Sequence, residues 1–115
     1  MKTPQNIRLS KDKRTLTIDY PGGVSVPLSA ELLRVESPSA EVQGHDPSQK
    51  RLVPGKQNVS ISGIEPVGNY AVRLIFDDGH DTGIYSWNTF EMLATVGDQL
   101  FSDYLAALEE KGLSR

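Results

Sequence analysis

Strict period-two alternation over the first third of the chain limits its fold more than any other feature. Ile7 and Leu9, then Leu16, Ile18 and Tyr20, then Val24, Val26 and Leu28 occupy every second position, with Thr15, Thr17 and Asp19 between them. Each run is short, with one apolar and one polar side, the pattern of antiparallel strands that have a dry and a wet face. Turn signals separate the runs: Ser10-Lys11-Asp12-Lys13, and Pro21-Gly22-Gly23, whose glycines tolerate positive φ. The N-terminal third therefore reads as a β-meander.

Ser29 is placed to cap a short helix through Ala30, Glu31, Leu32 and Leu33, which Pro38 closes. Residues 36–57 carry Pro38, Pro47, Pro54, Gly44 and Gly55 and no sustained periodicity. With only Val42, Leu52 and Val53 to anchor it, this polar connection is expected to be a mobile loop. Alternation resumes at Val59 and Ile61 and continues through Tyr70, Val72, Leu74 and Phe76. The opposite face, Ala71, Arg73 and Ile75, is mixed, which suits a central strand partly covered by helices.

The C-terminus reads as helical. Asn88 and Glu91 resemble a capping pair for a helix bearing Phe90, Leu93 and Ala94, which Gly97 ends. Asp98 then caps a second helix lined by Leu100, Phe101, Tyr104, Leu105 and Leu108 and terminated at Lys111-Gly112. Such a stripe predicts packing on the chain's own sheet. Strands first and helices last predict an α+β fold: an antiparallel β-sheet meander, a short helix after the third strand, and two C-terminal helices packed on the sheet. The 115 residues suffice for one core, so a single domain over 1–115 is expected.

Charge and composition exclude several functions. Fifteen acidic against twelve basic residues leave a net charge of −3, which offers no long-range attraction to phosphate backbones, so nucleic acid is not an expected partner. The absence of cysteine removes disulfides, thiolate catalysis and thiolate metal ligands. Residues 1–14 contain no apolar run of signal-peptide type, and no window approaches the roughly 18 apolar residues of a membrane span. No membrane partner and a cytoplasmic location are the expectations.

Chemistry concentrates in the turn Asp77-Asp78-Gly79-His80-Asp81-Thr82-Gly83. Imidazole beside carboxylates is a metal-ligand or acid/base constellation. The same composition also makes a hairpin connection, in which Asp and Gly supply backbone hydrogen bonds and positive φ at Gly79 and Gly83. Neighbouring ligands rarely converge on one ion without a loop as organised as an EF-hand, whose spacing is absent, so the turn reading is favoured. No G-x-S-x-G, G-x-G-x-x-G or P-loop pattern is present, and only His45 and His80 could act as histidine bases. A hydrolase is not expected. Tyr85 and Trp87 form either an aromatic patch or, more often for a lone Trp at a strand-to-helix junction, part of the core.

Two blocks, LLRVESPS with Arg34 and GNYAVRLIFDDGHDTGIYSW, resemble the small domain at the N-terminus of gamma-butyrobetaine hydroxylase, over about residues 16–93. The same family includes free-standing bacterial proteins of unknown function. In the hydroxylase this domain resembles a zinc module, with a Cys-x-Cys-x-x-Cys run after the Leu-Arg pair and a distant histidine. Laid on this chain, the thiolates would fall at Ser37, Ser39 and Val42 and the histidine at His80. Serine hydroxyls stay protonated and are weak donors to zinc, so neither zinc nor any other cofactor is expected. The iron and 2-oxoglutarate of the hydroxylase belong to a separate jelly-roll domain, so no oxygenase activity is expected. Similar domains are fused to P-loop ATPases of iron-sulfur cluster assembly. The resemblance thus implies a non-catalytic accessory or protein-interaction module, linked to iron-sulfur cluster assembly or metabolism. Its surface would be built around Arg34, Asp77, Asp78, His80, Tyr85 and Trp87. The alternative is a metal-binding or small enzymatic domain using His80 with Asp77, Asp78 or Asp81.

Overall fold

The computed structural model describes residues 3–115. Strands β1 (Asn6–Leu9), β2 (Thr15–Tyr20) and β3 (Val24–Ser29) form one antiparallel sheet in that order. Strands β4 (Ile61–Val67), β5 (Ala71–Phe76) and β6 (Gly83–Ser86) form a second. Between the sheets run α1 (Ala30–Val35), α2 (Ala40–Gln43) and a 3-10 turn (Pro47–Gln49), and α3 (Trp87–Glu110) follows them. The fold is α+β, as the order of patterns predicts.

Register shows why the alternation was decisive. Ile18 stands opposite both Ile7 and Val26, and Leu16 opposite both Leu9 and Leu28, so every second residue of the meander faces the same side. A one-residue slip would turn this whole set to water. In the second sheet β5 is central, with Leu74 opposite Ile64 and Gly83, and Val72 opposite Pro66 and Tyr85. Pro66 is accommodated because β4 is an edge strand. Leu16, Ile18, Tyr20 and Leu28 of the first sheet share one core with Ile61, Val72, Leu74, Phe76 and Tyr85 of the second, closed by Phe90 and Leu93 of α3.

Three features depart from the sequence reading. The N-terminal meander is one sheet, but the later strands do not extend it: residues 30–60 separate β3 from β4, and the two sheets meet through the Ile61 amide, which donates to the Lys13 carbonyl at 2.8 Å. The C-terminus is one helix of 24 residues, not two. Its N-cap is Ser86, whose Oγ accepts from the Thr89 amide at 3.1 Å, and Gly97 and Asp98 lie inside it. Glycine interrupts helices weakly, by about 1 kcal/mol relative to Ala, and tertiary packing overrides that here. Gly97 is buried where α3 crosses α1, and a Cβ there would lie 3.0 Å from Leu32 Cδ2.

The 36–57 connection also contains regular structure. Ser39 caps α2 and Asp46 caps the 3-10 turn, each side chain accepting from an amide two residues on. Val42 is buried, the Arg51 amide donates to the Val42 carbonyl at 2.7 Å, and the Tyr104 hydroxyl donates to the Val53 carbonyl at 2.6 Å. Val35, Tyr104 and Leu108 form a second small core, against which Leu52 and Val53 pack. Among the described residues, no helix is long and apolar enough to cross a membrane.

Candidate functional site

The turn after β5 folds back on itself: the Gly79 amide donates to the Phe76 carbonyl at 3.1 Å and the Phe76 amide to the His80 carbonyl at 3.0 Å. Gly79 has φ +91°, in the region where glycine is favoured. Gly83 was expected to need the same freedom and does not. It is required for space, since a Cβ there would fall 2.5 Å from Ser37 Oγ and 3.0 Å from Tyr85 Cε1.

The three acids of the turn diverge. Asp77 exchanges hydrogen bonds with Ser60, its amide donating to the Ser60 carbonyl and its Oδ1 accepting from the Ser60 amide. Asp81 Oδ2 lies 3.4 Å from Arg73. Asp78 Oδ2 sits between Arg34 Nε at 2.8 Å and Lys56 Nζ at 2.6 Å, and its Oδ1 accepts from the His80 amide. Burial pushes the Asp78 carboxyl up, yet Lys56, the His80 amide and Arg34 together lower it from 3.8 to about 2. It is an anion at any physiological pH.

His80 turns inward. Its side chain is 3% exposed, with Nε2 2.9 Å from Ser37 Oγ and Nδ1 3.2 Å from Glu41 Oε2. Burial lowers its pKa below the ordinary 6.5 and the Arg34 charge adds to this, with Glu41 and Asp78 opposing. A neutral ring satisfies both partners if Nδ1–H donates to Glu41 and Nε2 accepts from the Ser37 hydroxyl. Ser37 Oγ also accepts from the Ser39 amide, and Ser39 Oγ is 2.7 Å from Thr82 Oγ1. Ser37, Ser39 and His80 thus meet where the resemblance laid a zinc site, joined by hydrogen bonds, and Val42 lines a cavity with His80. Among the described residues, no three His, Cys, Asp or Glu side chains gather as a metal site would need.

Glu41 was not among the expected site residues. It stands in the first turn of α2, 39 residues before His80, and nothing local in the sequence links the two. With it the site reads Ser37–His80–Glu41, the order of contacts in a hydrolytic triad. Ser37, however, has no exposed surface, and the Gly83 backbone closes on its hydroxyl. A substrate carbonyl has no approach to this oxygen.

The remaining residues of the expected surface are divided. Tyr85 is fully buried, its hydroxyl donating to the Leu33 carbonyl and its ring stacked on Phe90 with centroids 5.8 Å apart. It belongs to the core and not to a contact surface. Trp87 is half-buried, packed 6.2 Å from Phe90, with Nε1 donating to the Asn69 carbonyl at 2.8 Å. Asp77 is exposed, and the side chains of Arg34 and Asp78 are mostly covered. Tyr70, expected on the apolar face with Val72, is instead exposed, as is Ile84, which pairs with Arg73.

Residues 7–91 match the family described as gamma-butyrobetaine hydroxylase-like, N-terminal. The chain belongs to this family. Two solution NMR structures are similar to this gamma-butyrobetaine hydroxylase-like domain at 52% and 48% identity. They cover all of this chain and 90% and 86% of their own, each with a TM-score of 0.84. A crystal structure of a protein of unknown function from Acidithiobacillus ferrooxidans, of the DUF971 family, is similar at 38% identity. It covers 80% of this chain and 92% of that chain, with a TM-score of 0.66. No curated protein matches. The family match ends within α3, so Tyr104 and Leu108 of the gamma-butyrobetaine hydroxylase-like chain lie beyond it.

Proposed function

We propose that the chain is a non-catalytic accessory module that acts in the cytoplasm by contacting another protein, in the setting of iron-sulfur cluster assembly or metabolism that the family resemblance implies. The inward engagement of the family's polar motif carries this reading. Both ring nitrogens of His80 are held, Ser37 is sealed, and Asp78 is clamped by Arg34 and Lys56. Groups used in this way brace the 77–83 turn against α1 and α2, and Ser37, the hydroxyl bonded to His80, is not accessible as a nucleophile. Tyr70, whose carbonyl accepts from the Trp87 amide, and Ile84, on the outward face of the second sheet with Arg73, are both exposed and offer amphipathic and apolar contact area for a partner.

The test joins chemistry to contact. Purified protein should show no turnover of short-chain esters or amides that Ser37→Ala or His80→Ala removes, and no stoichiometric metal by elemental analysis. A photo-crosslinking residue at position 70 or 84 should trap a discrete adduct in the source cell, and one at Lys11 should not. Turnover lost in Ser37→Ala would replace the reading with a hydrolase. A stoichiometric metal lost in His80→Ala would replace it with the metal-binding alternative.

A further inference from the structure

Arg34 has donors left over after its bond to Asp78. Its side chain is 12% exposed, Nε donates to Asp78 at 2.8 Å, and Nη1 is buried with no hydrogen-bond partner. Buried N–H groups are nearly always satisfied by protein, water or a ligand, and an orphaned donor on a cation is among the costliest exceptions. Arg34 also forms part of the wall of a cavity of about 130 Å³. Its lining is mixed: Val42, Leu52, Val53 and Pro54 are apolar, and Arg34, Arg51, His80 and Glu41 are polar.

The charges around it are unequal. Asp78 is shared by Arg34 and Lys56, and the Glu41 carboxylate at the rim is turned to His80 Nδ1. Arg51 has no ion-pair partner among the described residues. Two cations, Arg34 and Arg51, therefore line the cavity against one carboxylate, Glu41, with the ring neutral.

We propose that this cavity binds a small carboxylate on a short aliphatic stem, its oxygens held by Arg34 and Arg51 and its stem against Val42 and the 52–54 strap. A planar carboxylate matches the guanidinium fork, and the mixed lining separates charge from stem as small-molecule sites do. A phosphate fits less well, because oxygens beyond the two facing the arginines would be desolvated against Val42 and Pro54 without donors. The assignment stands apart from the accessory-module reading, since it needs no partner protein.

Amide and arginine Nε–H resonances of the full chain would be followed by NMR during titration with sodium propionate. Propionamide, sodium phosphate and sodium chloride at matched ionic strength serve as controls. Propionate should give saturable shifts at Val42, Arg51, Leu52 and the Arg34 Nε–H, with propionamide about tenfold weaker for want of the charge-assisted bonds. Arg51→Gln, at an exposed position, should keep the fold and weaken propionate about tenfold. Equal shifts from chloride, unchanged affinity in Arg51→Gln, or phosphate binding more tightly than propionate would each overturn the assignment. Arg34→Lys, which keeps the charge and loses the fork, gives a second variant whose loss of binding would support it.

Discussion

His80 joins three stretches of chain through one imidazole: its own turn, Ser37 after α1, and Glu41 on α2. His80→Ala should cost about 1–3 kcal/mol in urea denaturation, because the Ser37 hydroxyl would stay buried without its acceptor. The pH dependence follows from the lowered pKa. The folded ring resists a proton that the unfolded chain takes up, so stability is full above 6.5 and is lost as pH falls from there toward the lower folded value. His80→Ala should remove that slope. The two glycines of the turn should differ as well: Gly83→Ala drives a Cβ into a hydroxyl locked by His80 and should cost about 1–3 kcal/mol. Gly79→Ala has open space around it and should lose less, through backbone strain alone. The turn's composition revealed His80 as a candidate and Gly79 as a positive-φ position. It could not reveal Glu41, because a contact across 39 residues leaves no local period.

Among elements, those with one wet face were readable and those fixed by tertiary contact were not. Alternation placed β2 and β5 correctly because each buries one side, and β3 too, although there only Leu28 is buried and Val24 stays exposed. Alternation names a strand and not its neighbour, so it carries no sign of the split into two sheets. Helix α2 has four residues and depends on a side-chain cap, so no stripe could announce it. Helix α3 was divided in two because Gly97 and Asp98 mimic punctuation, whereas the glycine admits Leu32. The same helix also holds the 36–57 connection, through the Tyr104 hydroxyl on Val53. Tyr104→Phe should lose about 0.5–1.5 kcal/mol, the usual net worth of one such bond. Hydrogen exchange should then speed up at the amides of residues 51–53 while β5 keeps its protection; equal loosening of both would show that Tyr104 does not act through this segment.

At the scale of the molecule, the core belongs to both sheets and α3 at once, so neither sheet has a complete interior of its own. Heating should therefore give one transition, with Trp87 fluorescence and far-ultraviolet circular dichroism coinciding. A strong chelator should leave its midpoint in place, since hydrogen bonds join Ser37, Ser39, Thr82 and His80 without a metal's help. A melt that falls with chelator would assign folding free energy to a bound ion. Every strand pairing in either sheet joins chain neighbours, whereas the bonds between the α1 region and the β5–β6 region, at Ser37 and His80, Arg34 and Asp78, and Leu33 and Tyr85, span 43, 44 and 52 residues. Such distant closures carry a loop entropy that local hairpins do not. Folding should accordingly begin with the two local strand meanders and end with their slower docking, which completes the shared core. If the bonds at this seam form after the rate-limiting barrier, Ser37→Ala and His80→Ala should steepen the loss of the native state, raising the unfolding rate and leaving the refolding rate nearly untouched. The seam would then act as a latch, setting how long the folded molecule lasts and not how fast it is made.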